Sequence, residues 1–417
     1  MKKTILLSVI LLIVIIVVTG CQKQRMRGVV IKPDYDKPLF PGQLALRKIT
    51  DPAQIPDFTI ACRDIAGLHQ AIDYSLSYLN KPSSRRFYPY ADITHERAVD
   101  SLKSFKQLLD SGMPAEQLND VIRRDFDVYK SVGCDDMGTV LFTGYYTPIF
   151  DGSPVRTDRF QNPLYRQPDD LVKGDEGQIL GRRIADGQVT PYPTRADIEN
   201  SPDSYGLIGN ELIWLSDPFE VYIAHVQGSA KIKLPDGRLV TIGYAANNGQ
   251  EYHSIGKQLV DEGKIPADKL SLAAMIDFFK ANSALVRTYT QLNPRFVFFR
   301  EEQGPPRGSL NEPVTPYRTI ATDKSIFPRG CLAFLATKLP RDIAGALSIN
   351  PYTGFALDQD TGGAIRAAGR CDVYMGVGDS AGRLAGQTYQ EGRLYYLFLK
   401  PGFQSPANLT SSPGSTN

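Results

Sequence analysis

Asp358-Gln359-Asp360-Thr361-Gly362-Gly363-Ala364-Ile365, with Arg370-Cys371-Asp372-Val373-Tyr374-Met375-Gly376 shortly after it, is the densest candidate for chemistry in this chain of 417 residues. Two acids sit beside glycines, and Asp372 opens a run of strand-forming residues. Such a pattern holds carboxyl groups against exposed backbone N–H groups, and glycine admits a bulky ligand because no Cβ intervenes. On spacing alone the plainer reading is a turn, because Asp and Gly dominate turns. The walls argue for more. A carboxyl flanked by Cys371, Val373 and Met375 is desolvated, and desolvation raises its pKa. Breaking an acetal needs an acid of that kind, protonated at working pH, and something that stabilises an oxocarbenium-like state.

Three other chemistries fail on the same residues. Asp360-Thr361-Gly362 matches the aspartic-protease triplet, but that chemistry needs two facing carboxylates. No second triplet exists, since Asp379-Ser380-Ala381 departs at its third place. A serine-protease reading of Gly378-Asp379-Ser380 needs a histidine partner, and His69, His95, His225 and His253 stand in no supporting motif. Gly376-Val377-Gly378 lacks the Lys-Ser/Thr of a phosphate loop.

The surrounding chain is β in character. Thr139–Tyr146, Glu220–Val226, Arg238–Tyr244, Arg295–Phe299, Cys331–Ala336, Asp372–Met375 and Leu394–Leu399 are β-branched or aromatic runs bounded by turn residues, and read as strands. Pro235-Asp236-Gly237 is a turn: Pro sets φ and Gly supplies the left-handed position. Helices are expected over His253–Glu262 and over Leu272–Ala281, the latter capped by Ser271. Before Gly138 the spacing is helical: Ile65, Leu68, Ile72, Leu76 and Leu79; then Ala98, Leu102, Phe105 and Leu109; then Leu118, Val121, Ile122 and Phe126. These are expected to be packing helices. Many strands with few helices predict a mainly β fold, a barrel or sandwich with added helices.

The N-terminus carries Lys2-Lys3, an apolar run from Ile5 to Val18, and then Val18-Thr19-Gly20-Cys21. A basic start, a short apolar core and a small-residue exit read as a secretory signal peptide over residues 1–20. The ending resembles a bacterial lipobox, which implies lipidation of Cys21, and Gln22 in place of an acid implies sorting to the outer membrane, facing the periplasm. Residues 21–58 are proline-rich and read as a tether; 404–417 are Ser, Thr, Pro, Gly and Asn and read as a disordered tail. Lys and Arg number 47 against 45 acids, and without Lys2 and Lys3 the balance is even. The chain therefore lacks the overall basic field of a nucleic-acid binder. Cys62, Cys134, Cys331 and Cys371 form no C-x-x-C pair, so no zinc site is expected. In an oxidising compartment they fit two disulfides in any of three connectivities, or free buried thiols, equally well.

Sugar rings need flat apolar platforms beside polar groups, and Thr143-Gly144-Tyr145-Tyr146-Thr147-Pro148 and Gln227-Gly228-Ser229 offer both. With them, in order, stand Pro163-Leu164-Tyr165-Arg166, Pro191-Tyr192-Pro193-Thr194-Arg195, Gly243-Tyr244-Ala245, Asn248-Gly249, Tyr252-His253-Ser254-Ile255-Gly256-Lys257, Asn293-Pro294, Val297-Phe298-Phe299 and the acidic stretch quoted first. From about Thr139 to Leu399 the chain resembles the membrane-bound lytic murein transglycosylase A family. The resemblance implies a double-psi β-barrel domain with a second β domain inserted and a substrate groove between them. By it, residues 59–147 and 309–403 form the barrel, which carries the three-aspartate motif and the N-terminal helices, and 148–308 form the insert. It implies cleavage of the β-1,4 bond between N-acetylmuramic acid and N-acetylglucosamine in peptidoglycan, with 1,6-anhydro ends and no cofactor. Asp372 takes the catalytic place, Asp360 a supporting polar one, and Thr143, Tyr145, Gln227, Ser229 and Gly362 glycan contacts. Peptidoglycan strands are the implied partner, with cell-wall synthesis or division proteins as further ones.

Three positions depart from the family pattern. Ala230 and Ala367 stand where glycine is common, and Met375 where an aromatic is common; Asp169–Asp186 reads as a lineage-specific loop. Two rival functions share the residues. An inverting hydrolase would use Asp360 and Asp372 as base and acid on water and leave reducing ends. A non-catalytic peptidoglycan-binding lipoprotein would keep the groove and ignore loss of Asp372.

Overall fold

The computed structural model describes residues 33–402 except 176 and 344–345. The signal peptide, Cys21, the tether up to residue 32 and the tail over 404–417 lie outside the described residues. Among those described, no helix is long and apolar enough to cross a membrane.

Three strands come first: β1 (Leu46–Lys48), β2 (Phe126–Ser131) and β3 (Val140–Thr147). Next come β4 (Ile149–Ser153), β5 (Asn162–Tyr165), β6 (Leu171–Lys173), β7 (Ile179–Arg183), β8 (Val189–Thr190) and β9 (Glu211–Leu215). After them run β10 (Ser229–Lys233), β11 (Leu239–Asn247) and β12 (Val297–Glu302). The last five are β13 (Thr319–Ala321), β14 (Leu332–Ile343), β15 (Ala346–Asp360), β16 (Arg370–Val377) and β17 (Tyr389–Leu399).

Six of these strands close on themselves in the order β17-β14-β15-β13-β16-β3, with β3 returning to β17; β2 and β1 extend the sheet beyond β17. Two neighbouring pairs in the ring, β13 with β15 and β16 with β3, are parallel. Closure leaves no open edge among the six, so their backbone polar groups are paired where the interior is driest. Phe142, Leu335 and Val373 are buried in the ring, while Phe355 packs from its outer face on Phe105, ring centroids 4.8 Å apart. The helices Leu68–Leu79, His95–Asp110 and Ala115–Asp125 lay Ile72, Phe105 and Ile122 against the same core. The mainly β class expected from the sequence is therefore what forms.

A second sheet, ordered β12-β11-β10-β4-β9-β5, has its own core around Leu215, Phe219, Ile223, Phe279 and Phe299. The chain passes from the ring to this sheet through a single residue, Pro148, whose carbonyl accepts from the Lys231 N–H at 2.8 Å.

Several local expectations are corrected. Glu220–Val226 is helical, part of the helix Pro218–Gln227. Asp217 caps it by accepting from the Phe219 N–H at 2.7 Å, Pro218 takes the first turn, and Gly228 ends it at φ 75°. Caps and the i, i+3, i+4 burial of Phe219, Tyr222 and Ile223 outweigh the β-forming content. Phe126 opens β2 rather than closing a helix. The hairpin β14–β15 runs much further than Cys331–Ala336, and Pro340 and Pro351 sit in its outer arm. That arm lies beyond the residues of β14 that β17 pairs, where a strand edge tolerates proline. Asp169–Asp186 is no plain loop: β6, β7 and β8 make an antiparallel sheet of three strands. The four described cysteines are free and buried.

Candidate active site

Ala321 of β13 is the geometric centre of the acidic stretch. It pairs with Asp360 of β15 on one side and Asp372 of β16 on the other. Residues opposite one another across a sheet share a face, so both carboxyls point the same way. Asp358 does not join them. The register of β13 against β15 slips between Ile320, which pairs with Asp358, and Ala321, which pairs with Asp360. Consecutive residues of a strand face opposite sides, so the slip sends two acids that are two apart to opposite faces. Asp358 enters the ring interior, fully buried, and is ion-paired to Lys324. It also accepts from Thr322 Oγ1 at 2.7 Å and from the Tyr396 hydroxyl at 2.6 Å.

Asp372 faces Thr143 across the parallel pair β16–β3, and the Thr143 hydroxyl donates to its Oδ1. Burial pushes the Asp372 carboxyl above its ordinary value; Arg370 and the Thr143 hydrogen bond hold it down, and the charge of Asp360 pushes it up again. Asp360 is more firmly held. The Ser309 and Thr361 N–H groups donate to its Oδ1, each at 2.8 Å, and the Tyr145 hydroxyl to its Oδ2 at 2.8 Å. Burial raises its pKa too, against those three donors. Gly308 makes the Ser309 contact feasible, because a Cβ there would stand 3.0 Å from the Asp360 Cγ.

A chain of polar contacts ties the ring to the second sheet beside these acids. Tyr145 packs on Tyr374, ring centroids 5.2 Å apart. The Tyr374 hydroxyl lies 3.0 Å from Thr147 Oγ1, which lies 3.3 Å from Ser229 Oγ. Gln227 Oε1 accepts from the Tyr146 N–H at 3.1 Å. Gly144 also borders the cavity beside these acids. A Cβ there would meet the Ala385 Cα at 2.8 Å, so the glycine seats the helix Gly378–Gly386.

A cavity of about 690 Å³ opens between the two sheets, and Thr143, Tyr145, Gln227, Ser229, Gly362, Asp360 and Asp372 all line it. Cys21 lies outside the described residues. The sequence reading did not single out Tyr244, Tyr252, Arg295, Arg300, Arg366 and Arg370, which line the same cavity. Most of them stand inside or beside the quoted motifs, so the signal was proximity in sequence to a motif, which carries no direction. His225 also borders the cavity, but it is buried, its Nδ1 accepts from the Val297 N–H at 3.0 Å, and burial holds its pKa well below the ordinary value. It is neutral and structural. Among the described residues no group of three or more His, Cys, Asp or Glu gathers to hold a metal.

The departures from pattern separate cleanly. Ala230 lies in β10 opposite Ile242, without a positive φ, and costs nothing there. Ala367 is left-handed, at φ 63°, a conformation that costs a non-glycine roughly 1 kcal/mol. Its N–H donates to Asp323 Oδ2 at 3.0 Å. Met375 is buried in the ring core.

Comparison with known proteins gives one consistent result. Residues 141–300 match the MltA specific insert domain and residues 318–398 the 3D domain. Membrane-bound lytic murein transglycosylase A of Escherichia coli K12 is 32% identical over 280 residues, which cover 66% of this chain and 70% of the relative. The Vibrio cholerae protein of the same name is 34% identical over 272 residues, 64% of this chain and 68% of that one. Among solved structures, the membrane-bound lytic murein transglycosylase of Agrobacterium tumefaciens superposes with a TM-score of 0.71 at 25% identity, covering 85% of this chain and 98% of that one. The E. coli MltA complex with chitohexaose gives a TM-score of 0.64 at 26% identity, covering 88% of this chain and 97% of that one.

Proposed function

The chain belongs to the membrane-bound lytic murein transglycosylase A family, and from that premise we infer that it is a lytic transglycosylase of peptidoglycan with Asp372 as its one acid and base. The glycan lies in the cavity between the sheets. Protonated Asp372 gives its proton to the glycosidic oxygen as the bond from C1 of N-acetylmuramic acid breaks. The C6 hydroxyl of the same sugar then attacks C1, and the Asp372 carboxylate takes the hydroxyl proton, which closes the 1,6-anhydro ring and restores the acid. An internal nucleophile arrives at high effective molarity, so no second carboxylate has to hold a water.

The observation that carries this reading is the unequal footing of the two acids. Asp360 has three donors on its oxygens, and a carboxylate so occupied is a weak base toward water. Asp372 has one donor, from Thr143, and burial favours its protonated form. Asp360 then acts by charge, and Thr143 and Tyr145 hold the acids while Gln227, Ser229 and Gly362 contact glycan. Lipidation at Cys21 and the proline-rich lead-in would place the enzyme on the periplasmic face of the outer membrane, within reach of wall-synthesis or division proteins.

The test is product chemistry. A soluble form beginning after Cys21 is incubated with purified peptidoglycan, and the released ends are weighed by mass spectrometry. Anhydro ends, one water lighter than hydrolytic ends, are expected, with turnover lost and glycan binding kept in Asp372→Asn. Reducing ends would transfer the assignment to the inverting hydrolase, and binding without release to a wall-binding scaffold.

A further inference from the structure

Arg370 stands two residues before Asp372 on β16, and both line the cavity. Residues two apart on a strand share a face, with backbones ~6.6 Å apart, well within the reach of an arginine. Yet among the described residues Asp372 takes no ion pair, and Thr143 is its partner. Arg370 turns the other way. Its Nη1 reaches Asp36 Oδ1 at 3.3 Å, and its buried Nε has no partner among the described residues.

Asp36 belongs to the lead-in, and that segment is fastened across the same face of the sheet. Arg370 of β16 pairs with Leu141 of β3, and Leu141 with Glu391 of β17, so Arg370 and Glu391 flank one level. The Tyr35 hydroxyl donates to Glu391 Oε1 at 2.7 Å, and the next residue, Asp36, takes Arg370. Gly369 admits the crossing, because a Cβ there would stand 2.5 Å from the Tyr35 carbonyl oxygen. Asp34 fixes the turn: its Oδ1 accepts from the Asp36 N–H at 3.2 Å and its carbonyl from the Lys37 N–H at 3.3 Å.

Resting on the transglycosylase reading, we propose that Asp36 is a positioning residue: it holds the Arg370 guanidinium off Asp372, so that the acid stays free of an ion pair and keeps its proton. Released from Asp36, Arg370 has Asp372 as the acid on its own strand face. A guanidinium on a carboxylate favours the ionised form, which has no proton to give. The other groups around Asp372 do not take over this task. Asp360 on β15 raises its pKa, and Thr143 on β3 lowers it. Tyr145, Tyr252 and Cys371 are pushed up by burial and stay neutral in the carboxylate range. Tyr389 stands opposite Thr143 on β17 and Arg366 borders the cavity; the substitutions below leave both in place.

The experiment reads the alkaline limb of kcat/KM for release of anhydro muropeptides between roughly pH 4 and 9, in the form beginning after Cys21. Activity belongs to the protonated acid, so a lower Asp372 pKa moves that limb toward acid. Asp36→Asn should move it about one unit that way, and Asp36→Glu should leave it near the wild-type position. In an Arg370→Gln background, adding Asp36→Asn should leave the limb where it is. A limb that stays put in Asp36→Asn overturns the proposal. So does a shift that persists in the Arg370→Gln background, since Asp36 would then act by its own charge. A second measurement separates this from failure of the activity itself. The Asp372 carboxyl is titrated by NMR of protein labelled at the aspartate carboxyl carbons, its signal identified by its loss in Asp372→Asn. A lower pKa in Asp36→Asn than in wild type supports the role of Asp36 even if no anhydro product forms; equal titrations refute it.

Discussion

Replacing Asp360 by asparagine removes one charge from the cavity and leaves its shape. The two N–H donors, Ser309 and Thr361, both address Oδ1, which an asparagine carbonyl still offers them. The Tyr145 hydroxyl addresses Oδ2, and against an amide NH₂ it simply turns to accept. What changes is the field at Asp372. Asp360 and Asp372 flank Ala321 on adjacent strands, so their backbones are two strand spacings apart, ~10 Å. At an effective dielectric near 20 the repulsion is ~1.7 kcal/mol, or about one pKa unit. Asp360 raises the Asp372 pKa, so its neutralisation lowers it. Because the proton donor is the protonated form, activity is lost as pH rises through that pKa, and the alkaline limb of kcat/KM should move about one unit toward acid. The assay is release of anhydro muropeptides between pH 4 and 9, roughly bracketing the carboxylate range, with circular dichroism to establish folding. An alkaline limb that stays in place or moves upward would refute the electrostatic role. A folded Asp360→Asn enzyme that is inactive at every pH would make Asp360 a participant in bond-breaking, as the hydrolase reading requires.

Thr143→Val should move the same limb the other way, since the Thr143 hydroxyl holds the Asp372 pKa down; loss of a hydrogen bond to a charge is worth ~1.5–3 kcal/mol, so a shift of one to two units is expected in the same pH profile. Lys324→Met strands the fully buried Asp358 carboxylate without its ion pair, and urea unfolding should register a loss of about 3–5 kcal/mol; a loss below ~1 kcal/mol would mean that Tyr396 and Thr322 suffice. Glu220 is raised from 4.5 to about 7 by burial, with Asp217 and Asp151 adding to it. A carboxyl raised on folding leaves stability whole below its ordinary value and takes it away as pH climbs through the folded one. Glu220→Gln should therefore be the more stable protein at pH 8, by an amount on the order of 3 kcal/mol, and equal to wild type near pH 4.

What the amino-acid order made legible was chemistry and rough topology; what it hid was direction. The tyrosines, acids and glycines that line the cavity could be named from their motifs, and the alternation of Cys371, Val373 and Met375 around Asp372 described a real strand. Glu220–Val226 misled because aromatic and β-branched content outvoted a cap, Asp217-Pro218, that lies just upstream. The outer arm of β14–β15 was lost because Pro340 and Pro351 argue against strands wherever an edge is not known in advance. At Gly144 nothing local in the sequence says that the Ala385 backbone arrives there. The arginines were invisible for a related reason: Arg295 and Arg366 are 71 positions apart and come to line one cavity only in the folded chain.

The slip between Ile320 and Ala321 sets the arrangement of all three acids. Read as a regular strand, Asp358-Gln359-Asp360 puts both acids on one face, and three carboxyls with Asp372 would then crowd a single site. Like charges gathered there would each raise the pKa of the others. The slip divides the work. Asp358 turns inward and pairs with Lys324, so a buried cation and anion underlie the site. Asp360 turns outward, two strands away from Asp372 on the far side of Ala321, near enough to raise the pKa of the acid and too encumbered by donors to compete with it. A parallel partner strand then supplies Thr143 at the same level as Asp372. In an antiparallel sheet built by short hairpins that pairing is unavailable, because parallel neighbours need a long connection. Here the connection from β3 to β16 contains the whole second sheet, so the excursion that brings Thr143 beside Asp372 is the same one that builds the opposite wall of the cavity.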